Sequence, residues 1–197
     1  IHYDIEKRRT DYYRVSAAIY LDLIPVTLGH PLSRKFKLRY TNFFNGKVFH
    51  SLYTQGIYAF SHPGKNIYRI RFLGKYLWGD VPFNYEHDVS DSTFKGFGGL
   101  AYFTKEIFSI SNEYSVSLYR DYIYLGAFID ATYFKGSGRK GSNEYISNKF
   151  HTGFAIGPTL RLLIYDQFEL FFYFSRDYLY SNGSSKYNFF IDLYKKW

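Results

Sequence analysis

Two residues of opposite charge are placed to act on each other without covalent chemistry. Lys95 lies in the segment Phe94-Lys95-Gly96-Phe97, and Asp130 closes the segment Phe128-Ile129-Asp130. An ammonium brought to a carboxylate makes a charge-assisted hydrogen bond, a contact able to hold a loop against a sheet. Gly96 allows a turn at the loop tip that a β-carbon would hinder. Asp130 belongs to an alternating run in which Tyr122, Tyr124, Gly126, Phe128, Asp130 and Thr132 share one face, and Ile123, Leu125, Ala127, Ile129 and Ala131 the other. If the run is a barrel strand, the acid points inward and a folded-in loop can carry Lys95 to it. The same residues also fit a surface hairpin whose lysine meets only water.

No catalytic or metal-binding pattern accompanies the pair. The six histidines have no ligand-like spacing to one another or to an acid on the same face, so no metal is expected. His50-Ser51 and Ser61-His62 invite comparison with lipid A deacylases, but neighbours in a strand point to opposite faces, so His50 and Ser51 cannot form a catalytic pair. Lys95 follows Phe94 where a phosphate-binding loop requires glycine, and the Gly-rich stretch 136–141 neither follows a buried strand nor opens a helix. Neither an enzyme nor a cofactor is implied.

The elements that must position the pair are strands. Aromatic residues make up 23% of the chain, a β-rich signal. Period-two alternation marks strands at 11–23, 34–44, 47–61 and 66–78, with Asn45-Gly46 as a tight hairpin turn. A polar loop at about 80–99 follows, and then strands at 100–119, 121–134, 150–165, 168–179 and 187–197. Residues 1–10 read as a tail or as one further strand. No linker divides the chain, so 1–197 is a single domain. One face of these strands carries Lys35, Lys37, Arg39, Arg69, Arg71, Glu113, Asp130 and Arg161, with Glu169 and Asp192 as the only other acids assigned to it. That face has too many charges for a dry interior and is expected to be wet and net basic.

No stretch reaches the roughly 20 apolar residues of a spanning helix. The net charge is +8, yet the cations are spread through alternating segments, which argues against nucleic acid. Cysteine is absent, excluding disulfides and thiolate sites; methionine is absent even at position 1, the mark of a processed or trimmed chain. A soluble sandwich turns its charged faces to water, whereas a transmembrane barrel with the same alternation does the reverse. Strand length, Tyr and Trp near strand ends and an aromatic C-terminus favour the membrane.

From about Trp78 onward the chain resembles the outer-membrane barrel superfamily that includes the assembly protein BamA, two-partner-secretion transporters and patatin-linked barrels. Phe94-Lys95-Gly96-Phe97 stands where that family has a Val-Arg-Gly-Phe/Tyr-like motif in an inward-folding loop, five strands before the end. Phe128 and Asp130 match a later strand motif, which departs at Thr132 where the family has glycine. Lys95 replaces the family's arginine and offers a point charge instead of a fork.

The resemblance implies an all-β, antiparallel transmembrane β-barrel in the bacterial outer membrane. This chain would supply the C-terminal eight to ten strands of a sixteen-stranded barrel, although a minimal eight-stranded barrel with one segment misassigned also remains open. It further implies non-covalent insertion or export of polypeptides. The partners would be outer-membrane lipid and lipopolysaccharide, with a polypeptide substrate or assembly-machine subunits. Phe189, Ile191, Leu193 and Trp197 are similar to the family's C-terminal assembly signal. A Lys95–Asp130 pair screened by lumen water is expected to contribute about 1 kcal/mol. The alternative is a small outer-membrane barrel acting as a passive channel or a lipid A-modifying enzyme.

Overall fold

A computed structural model describes residues 13–23, 33–45, 47–62, 66–89, 95, 103–120, 122–137, 148–164, 168–180 and 183–195. They form one antiparallel sheet of ten strands: β1 (Tyr13–Leu23), β2 (Ser33–Asn45), β3 (Lys47–His62), β4 (Asn66–Gly79), β5 (His87–Asp88), β6 (Phe103–Tyr119), β7 (Ile123–Gly136), β8 (Phe150–Ile164), β9 (Phe168–Leu179) and β10 (Ser184–Lys195). The order is β1-β2-β3-β4-β6-β7-β8-β9-β10, with the two-residue β5 pairing only β6. The nine long strands are those the alternation predicts. The additional strand is β5, inside the loop, whereas residues 1–10 lie outside the described residues. No α-helix occurs among the described residues; a 3-10 turn spans Phe83–Tyr85.

The sheet is open. It is not closed into a barrel, because β1 pairs only with β2 and β10 only with β9. Its long strands run from eleven residues in β1 to seventeen in β6. At about 3.4 Å per residue, even β1 is longer than a bilayer's apolar layer, about 30 Å thick.

The two faces have opposite chemistry. On β6, Ser109, Ser111, Glu113 and Ser115 are buried while Phe108, Ile110, Tyr114 and Val116 are exposed. On β7, Phe128, Asp130, Thr132 and Phe134 are buried while Leu125, Ile129 and Tyr133 are exposed. Strict alternation produces this division, since successive side chains leave opposite sides of the pleat. The segment after β4 supplies cover for the polar face. Val81 packs with Phe49 and Leu77, and Val89 with Ile107, Phe128, Phe134, Ala155, Phe171, Tyr173 and Leu179. We call this the loop-side face and its reverse the outer face.

Two local features fix register. Between Thr104 and Glu106 the β6–β7 pairing shifts. There the Thr104 hydroxyl accepts the Glu106 N–H at 3.0 Å and donates to the Lys135 carbonyl at 2.6 Å, satisfying backbone groups that a bulge strands. On β8, Gly157 permits a close approach: a β-carbon there would lie 1.7 Å from the Phe174 carbonyl oxygen.

Candidate functional site

Strand register builds a charged cluster in the middle of the loop-side face. Arg71, Ser111 and Asp130 form one row across β4, β6 and β7, and Arg69, Glu113 and Phe128 form the next. Arg161 reaches in from β8, and Lys95 from the loop. The Lys95 N–H donates to Asp130 Oδ2 at 2.8 Å. Its ammonium donates to Ser111 Oγ at 3.0 Å and to Asp130 Oδ1 at 3.5 Å. The same ammonium lies 3.9 Å from Glu113 Oε2 and 4.5 Å from the centre of the Phe128 ring, where the ring's negative face attracts it.

Glu113 is the hub. Its carboxylate accepts from Arg161, from Arg69 Nη1 at 3.4 Å and from Arg71 Nη2 at 3.3 Å. Four cations therefore converge on two carboxylates. Lys95 is 7% exposed, Glu113 2% and Asp130 0%. Burial pushes the Lys95 ammonium below its ordinary pKa, against the raising influence of Asp130 and Glu113.

This burial corrects two expectations. The face is wet at β2, where Lys35 and Arg39 are exposed, but Glu113, Asp130 and Arg161 are enclosed. The alternation identifies the face without revealing that Val81, Val89 and Lys95, from the segment after β4, pack against it. A Lys95–Asp130 pair worth about 1 kcal/mol presumes solvent screening. Here the pair is buried, so removing one partner costs about 3–5 kcal/mol where the remaining charge is left without compensation, and less where Glu113 still faces Lys95.

The remaining predicted residues fall in two places. Lys37 lies 5.3 Å from the centre of the Tyr20 ring and 5.4 Å from that of Tyr53, and Arg39 lies 5.4 Å from that of Tyr53. With Lys35 they line the loop-side face of β2, apart from the cluster. Phe189, Ile191 and Leu193 are exposed on the outer face of β10. Phe94, Gly96, Phe97 and Trp197 lie outside the described residues, as do the side chains of Glu169 and Asp192.

The sequence reading did not single out Ser111, nor the hub role of Glu113. Alternation places both on the same face as Asp130, but only cross-strand register makes them its neighbours. It also omitted Asp177, a 1% exposed acid on the loop-side face of β9 that accepts from Asn188.

The cluster can clamp a loop. Ser111 beside an amine has the composition of a serine–lysine pair, with Lys95 Nζ 3.0 Å from Ser111 Oγ, but the same nitrogen also lies 3.5 Å from Asp130 and 3.9 Å from Glu113, within an ion-pair network. Among the described residues no three His, Cys, Asp or Glu side chains gather as a metal site would need. Comparison with protein-family models, curated proteins and solved structures finds no match.

Proposed function

We propose that the chain forms part of an outer-membrane β-barrel of the polypeptide assembly and translocation superfamily, acting without covalent chemistry and holding its long loop inside the lumen. The observation that carries the reading is the inverted sheet: charges buried under a loop on one face, aliphatic and aromatic side chains bare on the other. In water such a face would expose Phe108, Ile110, Leu125, Ile129, Ile156, Ile191 and Leu193 together, a patch beyond what soluble monomers tolerate. Against lipid it needs no cover. Aromatic stacking supports the same reading. His50 stacks on Trp78 at 5.1 Å and Tyr76 on Trp78 at 5.4 Å, with Tyr40 donating to or accepting from His50 at 2.8 Å, a grouping suited to a membrane–water boundary. In this reading Lys95, Asp130 and Glu113 keep the loop seated, and barrel closure comes from strands beyond β1 and β10.

The test is reconstitution into vesicles of outer-membrane lipid. A barrel of this class migrates differently before and after heating and promotes insertion or passage of an unfolded polypeptide. A chain washed off the vesicles by carbonate overturns the membrane reading. A stably inserted chain that moves no polypeptide overturns the translocation reading and favours a passive channel.

A further inference from the structure

On the outer face of β4, Gly74 interrupts a row of bulky side chains that runs from Tyr68 to Trp78. Thr54 and Phe108 stand opposite it on β3 and β6, and a groove of about 260 Å³ opens there. Its walls are almost wholly apolar, formed by Leu52, Tyr76, Phe108, Tyr133 and Phe150. Two charges border it. Glu106 pairs in register with Tyr76 on one side and Lys135 on the other, one row, or about 6.8 Å, from the row of Gly74. The remaining outer-face residues in step with them, from Phe108 to Leu118 on β6 and from Tyr133 back to Ile123 on β7, are all uncharged.

We infer that this groove seats one acyl chain of a phospholipid whose head carries both a phosphate and a primary ammonium. The inference rests on the membrane reading and assigns a particular lipid to a particular place. On a flat apolar face a lipid chain touches protein along one side only. In a groove it is also touched by the walls, and many small dispersion gains accumulate. Chain packing does not select a head, but the charged pair at the rim does. Lys135 Nζ and Glu106 Oε1 lie 3.8 Å apart, with the side chains 41% and 32% exposed, so they attract each other without a hydrogen bond. Neither side chain hydrogen-bonds another described residue. A phosphate can therefore accept from Lys135 while an ammonium on the same head donates to Glu106. A purely anionic head would set like charge against the Glu106 carboxylate. The depth is consistent as well. Both charges stand near strand ends, where an ionised group on a lipid-facing surface costs least. One row further out, His50 stacks on Trp78 at 5.1 Å, rings of the kind that settle at headgroup level. The groove lies on the opposite side of the charges, toward the middle of the strands, where a chain must go.

The experiment uses the full-length chain inserted into phosphocholine vesicles, with Trp197→Phe so that Trp78 is the one remaining tryptophan. Heat-dependent migration checks insertion of every variant first. The probes are phospholipids brominated on one acyl chain, with phosphoethanolamine or phosphoglycerol heads, since bromine quenches an indole that it touches. Half-quenching of Trp78 is expected at a roughly three- to fivefold lower mole fraction of the phosphoethanolamine probe, the worth of two half-exposed ion pairs. Leu52→Phe, which fills the groove, should abolish that preference, and Glu106→Lys should reverse it. Ile156→Phe, added bulk elsewhere on the outer face, should leave it unaltered. Quenching that follows mole fraction equally for both heads, a preference indifferent to Leu52→Phe and Glu106→Lys, or displacement of the probe by lipid A at lower concentration than by unbrominated phosphoethanolamine lipid would each overturn the inference while leaving the barrel reading intact. A chain that does not insert would overturn both.

Discussion

Asp130 holds Lys95 at two points: Oδ2 accepts its backbone N–H at 2.8 Å, and Oδ1 its ammonium at 3.5 Å. One carboxylate thus fixes both the path of the loop and the side chain it carries. Substitutions at the two positions are consequently not equivalent. Lys95→Ala removes the ammonium and keeps the N–H contact, whereas Asp130→Ala removes both.

The first prediction concerns this asymmetry. Asp130→Ala should free the loop more than Lys95→Ala, each at a cost of up to about 3–5 kcal/mol in a buried pair. Asp130→Asn keeps an acceptor for the N–H and should recover about 1 kcal/mol of that loss. Limited proteolysis within residues 80–99 reads the order directly. Equal cleavage of the Asp130 variants would show that the backbone contact contributes nothing.

Glu113→Gln should be more damaging than any single arginine change in the cluster. It strips the charge that Arg161, Arg69, Arg71 and Lys95 share, and Arg161 is only 6% exposed. A cost of about 3–5 kcal/mol is expected, visible as a lower temperature for the loss of heat-dependent migration. Arg69→Gln, at a more exposed position with two other guanidinium groups still on Glu113, should cost about 1 kcal/mol or less. Combining Glu113→Gln with Arg161→Gln should be milder than Glu113→Gln alone, because the orphaned cation goes too. Additive losses would mean the residues do not act as a unit.

The strands were legible because alternation is written residue by residue: 11–23, 34–44, 47–61 and 66–78 fall within two residues of β1 to β4. The facing of Asp130 was legible for the same reason. That Lys95 reaches it depended on resemblance, since nothing local to Phe94-Lys95-Gly96-Phe97 says where a loop folds. The hub role of Glu113 was not legible, because it joins β4, β6 and β8 through registers that no single strand encodes. The burial of the Lys95–Asp130 contact was not legible for a related reason. Burial of that pair follows from Val81 and Val89 drawing the preceding segment over the sheet, a tertiary event outside any period-two pattern.

Gly157→Ala should disturb the β8–β9 pairing. The added β-carbon would sit 1.7 Å from the Phe174 carbonyl oxygen and 3.1 Å from the Ser175 Cα, both backbone atoms that cannot rotate aside. Overpacking of this kind costs about 1–3 kcal/mol where the structure can yield, and more where a strand must shift. Gly183, on the β9–β10 connection, has open space around its Cα but a φ of +66°. Gly183→Ala should cost only about 1 kcal/mol through backbone strain. A larger loss at Gly183 than at Gly157, measured by urea midpoint, would contradict the close strand contact.

Ile129→Arg distinguishes the two environments available to the outer face. Ile129 sits near the middle of β7, 51% exposed, and pairs with Asn112 and Ile156. In a soluble sheet its side chain already meets water, and an arginine there should change stability by less than about 0.5 kcal/mol. Within a bilayer the guanidinium would lie near the midplane of the apolar layer, where it costs about 2–4 kcal/mol. The same substitution at Leu118, close to the end of β6, should cost about 1 kcal/mol or less, because an arginine there reaches the polar boundary. Unfolding from lipid vesicles by guanidinium chloride supplies the comparison. A loss at Ile129 well above that at Leu118 is the expected depth dependence, and equal, negligible effects at both would remove the membrane from this protein's function.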